Sequence, residues 1–137
     1  MIGRRVTFVR LACNSLLVYL ECEPGDDRGH VVWLEPTWSL SSPDALVVGS
    51  RQAQVDEGPN GAEDLARVGD LIRGRLLGRR LESVRLEAPT FDIDLTFEGG
   101  YRLRTFAADA GDEDNWHVTV LKGDSVYGAP SGLSHKP

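Results

Sequence analysis

Gly3-Arg4-Arg5-Val6-Thr7-Phe8-Val9-Arg10-Leu11 returns 75 positions later as Gly78-Arg79-Arg80-Leu81-Glu82-Ser83-Val84-Arg85-Leu86. Six of these nine residues are identical, and Val6/Leu81 is a conservative pair. The same offset sets Leu16, Val18, Leu20 and Cys22 against Phe91, Ile93, Leu95 and Phe97. Both sets alternate with other residues at period two, the pattern of a strand with one buried face. With looser spacing, Trp38-Ser39-Leu40 leads to Val48-Gly49-Ser50, as Trp116-His117-Val118 leads to Tyr127-Gly128-Ala129. The chain therefore reads as two copies of one β-rich unit, residues 3–50 and 78–129, inside a single domain spanning 1–137.

Each copy reads as an antiparallel meander of about four strands. The first copy places them near 4–12, 15–22, 30–35 and 38–48, and the second near 79–87, 90–97, 101–107 and 115–127. Short connections suit such a meander, and Glu98-Gly99-Gly100 makes a tight hairpin turn. The stretch 51–77 holds a polar linker and one helix. Asn60 can cap that helix with Glu63 three residues on. Leu65, Val68, Ile72 and Leu76 recur at helical spacing, with Leu71 broadening the stripe. Gly78 is placed to end the helix in a left-handed conformation, and residues 130–137 read as a disordered tail. The expected fold class is α+β, mainly β: two duplicated antiparallel β-meanders in pseudo-two-fold relation, joined by one α-helix.

The chain of 137 residues is long enough to bury a core without staples. Its formal net charge is −6 and its pI about 5.0, which offers no general attraction to phosphate backbones and argues against nucleic acid. No signal peptide is recognisable, and the apolar run Leu16–Leu20 is too short to span a bilayer. The expectation is a cytoplasmic protein with no membrane contact.

Chemistry-bearing residues are judged against the repeat. Arg4, Arg5 and Arg10 match Arg79, Arg80 and Arg85. Such arginines could build an anion site, but matched sets are better read as scaffold, pairing with acids across strands. Trp38 and Trp116 match as buried anchors of the fourth strand. Trp33 has no clear counterpart and is the stronger candidate for an exposed contact. Cys13 and Cys22 fall opposite Ala88 and Phe97 and read as small core fillers. The histidines form no zinc pattern, there is no nucleophile elbow or phosphate-binding glycine loop, and no cofactor is implied. The most distinctive unpaired feature is the acidic loop Asp109, Asp112, Glu113 and Asp114. Its spacing departs from calcium-loop order, so metal binding ranks last, behind a solvated loop and a negative surface for a basic partner. Asp92 and Asp94 could extend that surface if the fold brings them near.

Taken together, these residues resemble a group of small, uncharacterised bacterial proteins with a duplicated β-unit. The matching pieces are Gly3 to Leu11, Trp38 to Ser50, Phe97 to Gly100 and Trp116 to Gly128. The resemblance implies a fold and no activity; in size and style it suggests immunity proteins that sit beside secreted toxins. The reading is a non-enzymatic protein-binding domain, in its concrete form an immunity or antitoxin-type inhibitor of a basic partner. Its binding residues are Asp109, Asp112, Glu113, Asp114 and Trp33, and no catalytic or metal site is assigned. The alternative is a small-molecule or catalytic domain, with an anionic ligand held in a pocket between the two β-units.

Overall fold

A computed structural model describes residues 1–53, 61–107, 113–120, 123 and 125–136. The first unit supplies β1 (Val6–Ala12), β2 (Ser15–Leu20), β3 (His30–Leu34), β4 (Trp38–Ser41) and β5 (Leu46–Gly49). A 3-10 turn, Ser50–Ala53, and the helix α1 (Gly61–Leu76) follow. The second unit supplies β6 (Leu81–Glu87), β7 (Asp92–Phe97), β8 (Tyr101–Thr105), β9 (Trp116–Val120) and β10 (Ser125–Ala129), and the chain continues into β11 (Gly132–Lys136). The molecule is mainly β, with two antiparallel sheets and one α-helix between the strand sets.

Strands β1–β3 form one meander and β6–β8 the other. The expected fourth strand of each unit is a hairpin, and it crosses to the other unit's sheet. The six-stranded sheet runs β1-β2-β3-β9-β10-β11, and the five-stranded sheet runs β5-β4-β8-β7-β6. This exchange pairs the free edges of β3 and β8, which would otherwise present unsatisfied backbone groups. It also lets each matched tryptophan tie the sheets together. Trp38, in the second sheet, donates its Nε1–H to the Asn14 carbonyl in the first sheet's opening turn (2.7 Å). Trp116, in the first sheet, donates to the Phe91 carbonyl at the start of β7 (2.8 Å).

The two units meet along the repeated segments, and their contacts come in matched pairs. Val6 N–H donates to Arg79 O and Leu81 N–H to Arg4 O, both at 2.9 Å. Gly3 N–H donates to Leu81 O (2.7 Å) and Gly78 N–H to Val6 O (2.8 Å). Between them lies a single antiparallel bridge, Arg5 to Arg80.

Downstream the offset changes. Residues Cys13 and Asn14 turn β1 into β2, whereas β6 reaches β7 through 88–91. Val9 pairs with Val18 as Val84 pairs with Leu95, so Leu16, Val18 and Leu20 correspond to Ile93, Leu95 and Phe97. Two extra turn residues preserve the period of two, so the buried faces are unchanged while the partners shift.

The core between the sheets holds Leu16, Val18, Leu20, Val32, Leu34, Trp38, Leu40, Ile93, Leu95, Phe97, Leu103 and Trp116. The helix adds Ile72 and Leu76, with Leu65 and Val68 packed against them. Leu71, expected to broaden this stripe, is instead 37% exposed, because it falls outside the arc that faces β1. The helix ends at Gly78, whose φ of +80° fits the left-handed residue after a helix; Asn60 lies outside the described residues. The tail also departs from expectation: 132–136 form β11, held by a full ladder to β10. Its sequence is polar because it is an edge strand that the backbone holds in place.

Candidate functional site

The outer faces of the two sheets differ. On the first sheet, register aligns one residue from each strand in a row: Arg10, Leu17, Trp33, His117, Tyr127 and Ser134. Because side chains directly opposite in a ladder share a face, this row lies on the outside. The inward positions of β3 and β9 are taken by Val32, Leu34, Trp116 and Val118. Trp33 stacks on His117 with centroids 5.2 Å apart and planes at 27°. His117 in turn meets Tyr127 at 4.9 Å, and Lys136 Nζ sits 4.0 Å from the Tyr127 centroid. Beside the row, Leu17, Tyr19 and Cys22 form a second apolar cluster with Phe8, Ala12, Val31 and Trp33. Tyr19 meets Phe8 edge-on at 5.3 Å.

The corresponding row on the second sheet is Arg85, Asp94, Arg104, Ser39 and Gly49. It is ionic where the first is aromatic. Asp94 is almost fully buried and paired to both Arg102 and Arg104, and Arg104 also reaches Glu87 at 3.1 Å. Trp33 thus has a structural counterpart, Arg104, that alignment of the sequence did not reveal. Asp92 accepts from Thr90 (2.7 Å) and Thr105 (2.9 Å). Asp92 also accepts from the Ala107 N–H (3.3 Å), the last described residue before the acidic loop, whereas Asp94 is engaged by arginines of the second sheet.

An acidic rim flanks the aromatic row. Glu113 is exposed and Asp114 half-buried, just ahead of β9. Asp114 pairs with Lys136 at 3.9 Å. Glu35 accepts from Ser15 Oγ (2.6 Å), and its N–H donates to Asn115 O (2.9 Å), which holds the end of this loop against β3. Asp109 and Asp112 lie outside the described residues. Burial lowers the pKa of His117 below its ordinary value, against the opposing pull of Glu35 and Asp114. His30, at the other end of β3, is lowered mainly by burial as well. Of the row, the sequence singled out Trp33 alone, as an exposed contact; the structure makes it half-buried instead, stacked on His117 and packed on the Leu17–Tyr19–Cys22 cluster with its Nε1 buried. His117 and Tyr127 join it through the β3–β9 pairing, which links strands from different units.

The matched arginines serve as scaffold where they contact one another's unit. Arg5 Nη1 donates to Gly78 O (2.8 Å) and Arg80 Nη1 to Gly3 O (2.7 Å), again as a symmetric pair. Arg4 reaches Glu21 at 3.4 Å, and Arg79 lies over the Tyr101 ring. Both cysteines are free thiols. Cys22 is buried, but Cys13 is exposed in the β1–β2 turn at φ +54°, so it fills no core. The hairpin needs a turn residue there, and Cys13 occupies that place.

An apolar cleft of about 300 Å³ opens between β6–β7 and β9–β10, lined by Val84, Leu86, Ile93, Trp116, Val118 and Val126, with Met1, His30 and Val120. No arginine enters its wall. Among the described residues no three His, Cys, Asp or Glu side chains converge to hold a metal ion, and no helix is long and apolar enough to cross a membrane. No protein-family model, curated protein or solved structure matches this chain.

Proposed function

We propose that this chain is a non-enzymatic protein-binding domain, working in the manner of an immunity-type inhibitor, that engages a basic partner through the outer face of the first sheet. The observation that carries this reading is the Trp33–His117–Tyr127 row, which continues into the buried Leu17, with Glu35, Glu113 and Asp114 at its margin. Aromatic side chains give large contact area at low conformational cost, and they dominate the energetics of protein interfaces. The acids add steering toward a positive surface and fix its register. The net charge of −6 adds long-range attraction of the same sign. The partner would lay an apolar patch over Trp33 and place lysines or arginines against the acidic margin.

The test is capture of partners from the host's own lysate by the tagged protein, repeated with Trp33→Ala and with the double variant Glu113→Lys/Asp114→Lys. A stoichiometric basic protein should be retained by the wild type and released by salt. Trp33→Ala should weaken its binding by about 2 kcal/mol or more, as for an interface anchor. The charge reversals should slow association and flatten the salt dependence. Retention of the same partner, unchanged, by all the variants would remove this face from consideration.

A further inference from the structure

The two mouths of the molecule are equivalent in register but filled differently. At the first, α1 packs on β1 and on the Ser50–Ala53 turn. There Ile72 and Leu76 join Val6, Val9 and Val48 in the core, with Leu11, Leu65 and Val68 against them. Register carries this lining onto the second unit. Val9 pairs with Val18 as Val84 with Leu95, and Leu11 with Leu16 as Leu86 with Ile93. Leu40 pairs with Val48 as Val118 with Val126. Of these counterparts Val84, Leu86, Ile93, Val118 and Val126 line the apolar cleft. Among the described residues no helix lies over it. Val48 is 0% exposed, whereas Val126 is 39%, Leu86 43% and Val120 40%. Leu133, opposite Gly128 on β11 and on the same face, extends this open apolar edge.

We propose that the cleft is a docking groove for an amphipathic helix of a partner protein, seated as α1 is seated at the first mouth. The internal helix defines the chemistry of the occupant. Its contacting residues, Leu65, Val68, Ile72 and Leu76, follow i, i+3, i+7, i+11 spacing, so the partner helix carries aliphatic side chains at those intervals. Arg73 of α1 reaches the Val9 carbonyl on the edge strand at 3.4 Å. Val84 holds the matching position on β6, the edge strand of the other sheet. An arginine or lysine one residue past the third aliphatic position would reach that carbonyl, and the acidic chain favours a basic polar face around it. Apart from His30 and Met1 the cleft wall is aliphatic or indole, which gives a small polar ligand little to orient it. The groove is separate from the aromatic face and does not depend on its role.

The probe is a synthetic peptide of residues 61–77 with Gly74→Ala to raise its helicity, Gly69 being kept because a Cβ there would displace Arg73. It is titrated into full-length protein with labelled Val, Leu and Ile methyls. Saturable shifts are expected at Val84, Leu86 and Val126. Leu86→Glu, at an exposed position that tolerates charge, should weaken binding at least tenfold. Trp33→Ala should leave it unchanged, which separates this result from the aromatic face. Three outcomes would overturn the proposal. The first is no cleft shifts at millimolar peptide. The second is saturation of the same methyls by decanoate when the peptide is inert, which would make the cleft a site for a small apolar ligand. The third is concentration-dependent shifts of those methyls in the protein alone, which would assign the cleft to a second copy.

Discussion

At Gly128 the backbone of β10 passes directly over the Trp116 indole, and a Cβ there would lie 2.1 Å from Cε2. Neither the ring, almost fully buried, nor the ladder can give way. Gly128→Ala should therefore cost about 2–3 kcal/mol, the upper part of the overpacking range, read as a lower urea midpoint. Gly49→Ala is the control: its nearest neighbour is Trp38 O at 3.6 Å, and it should stay within about 0.5 kcal/mol of wild type. The sequence aligned these two glycines, but register sets Val48 against Val126, so the counterpart of Gly128 is Ser50. Ser50 instead uses its hydroxyl to accept from Trp38 N–H at 3.1 Å. The histidines give a second prediction. His117 and His30 are held below the ordinary value of 6.5, chiefly by burial. The unfolded chain therefore binds protons more readily than the folded one. The stability these groups permit is complete above 6.5 and falls as pH drops below it. Urea midpoints at pH 7.5 and 5.5 should show the loss, and His117→Gln should make it shallower. An identical pH slope in the variant would show that His117 takes no part.

Among the elements, α1 carries two interior glycines whose surroundings differ. Nothing lies within 4 Å of a Cβ at Gly74, whereas one at Gly69 would meet the Arg73 guanidinium at 2.9 Å. Gly74→Ala should stabilise by about 0.5–1 kcal/mol through helix propensity. Gly69→Ala should gain less, because it displaces the arginine that reaches Val9 O; thermal melts of the two variants check this. The helix itself was legible from its apolar spacing, since that stripe is a local pattern. The inner faces of the strands were equally legible, because alternation survives a shift of two residues. Which strands pair was not. Nothing local to Trp38 or Trp116 tells a strand which sheet to join, so the crossing of the hairpins and the Trp33–His117–Tyr127 row stayed hidden. Strand β11 was missed for a related reason: a polar edge strand held by backbone bonds has the composition of a tail.

For the whole molecule, the exchange means that neither unit closes its own sheet. Residues 1–60 lack the strands that pair β3 on one side and β4 on the other, and 61–137 lack the reciprocal partners. Expressed separately, each fragment should show no cooperative unfolding. Mixed, the two should regain the near-ultraviolet signal of the buried tryptophans. A cooperative transition in either fragment alone would show that the crossing adds little to its stability. The connection also sets a schedule during synthesis. Val32 pairs with Val118, about 85 residues further along. At roughly 5–20 residues per second on the ribosome, β3 therefore waits on the order of 4–17 s for the strand that covers its edge. Over that interval the nascent chain displays a bare apolar strand, Val31 to Leu34, with its ladder bonds unmade. Neighbouring nascent chains on one message offer each other the very strands that each later supplies to itself, so crowded or paused translation favours a swapped dimer over the monomer.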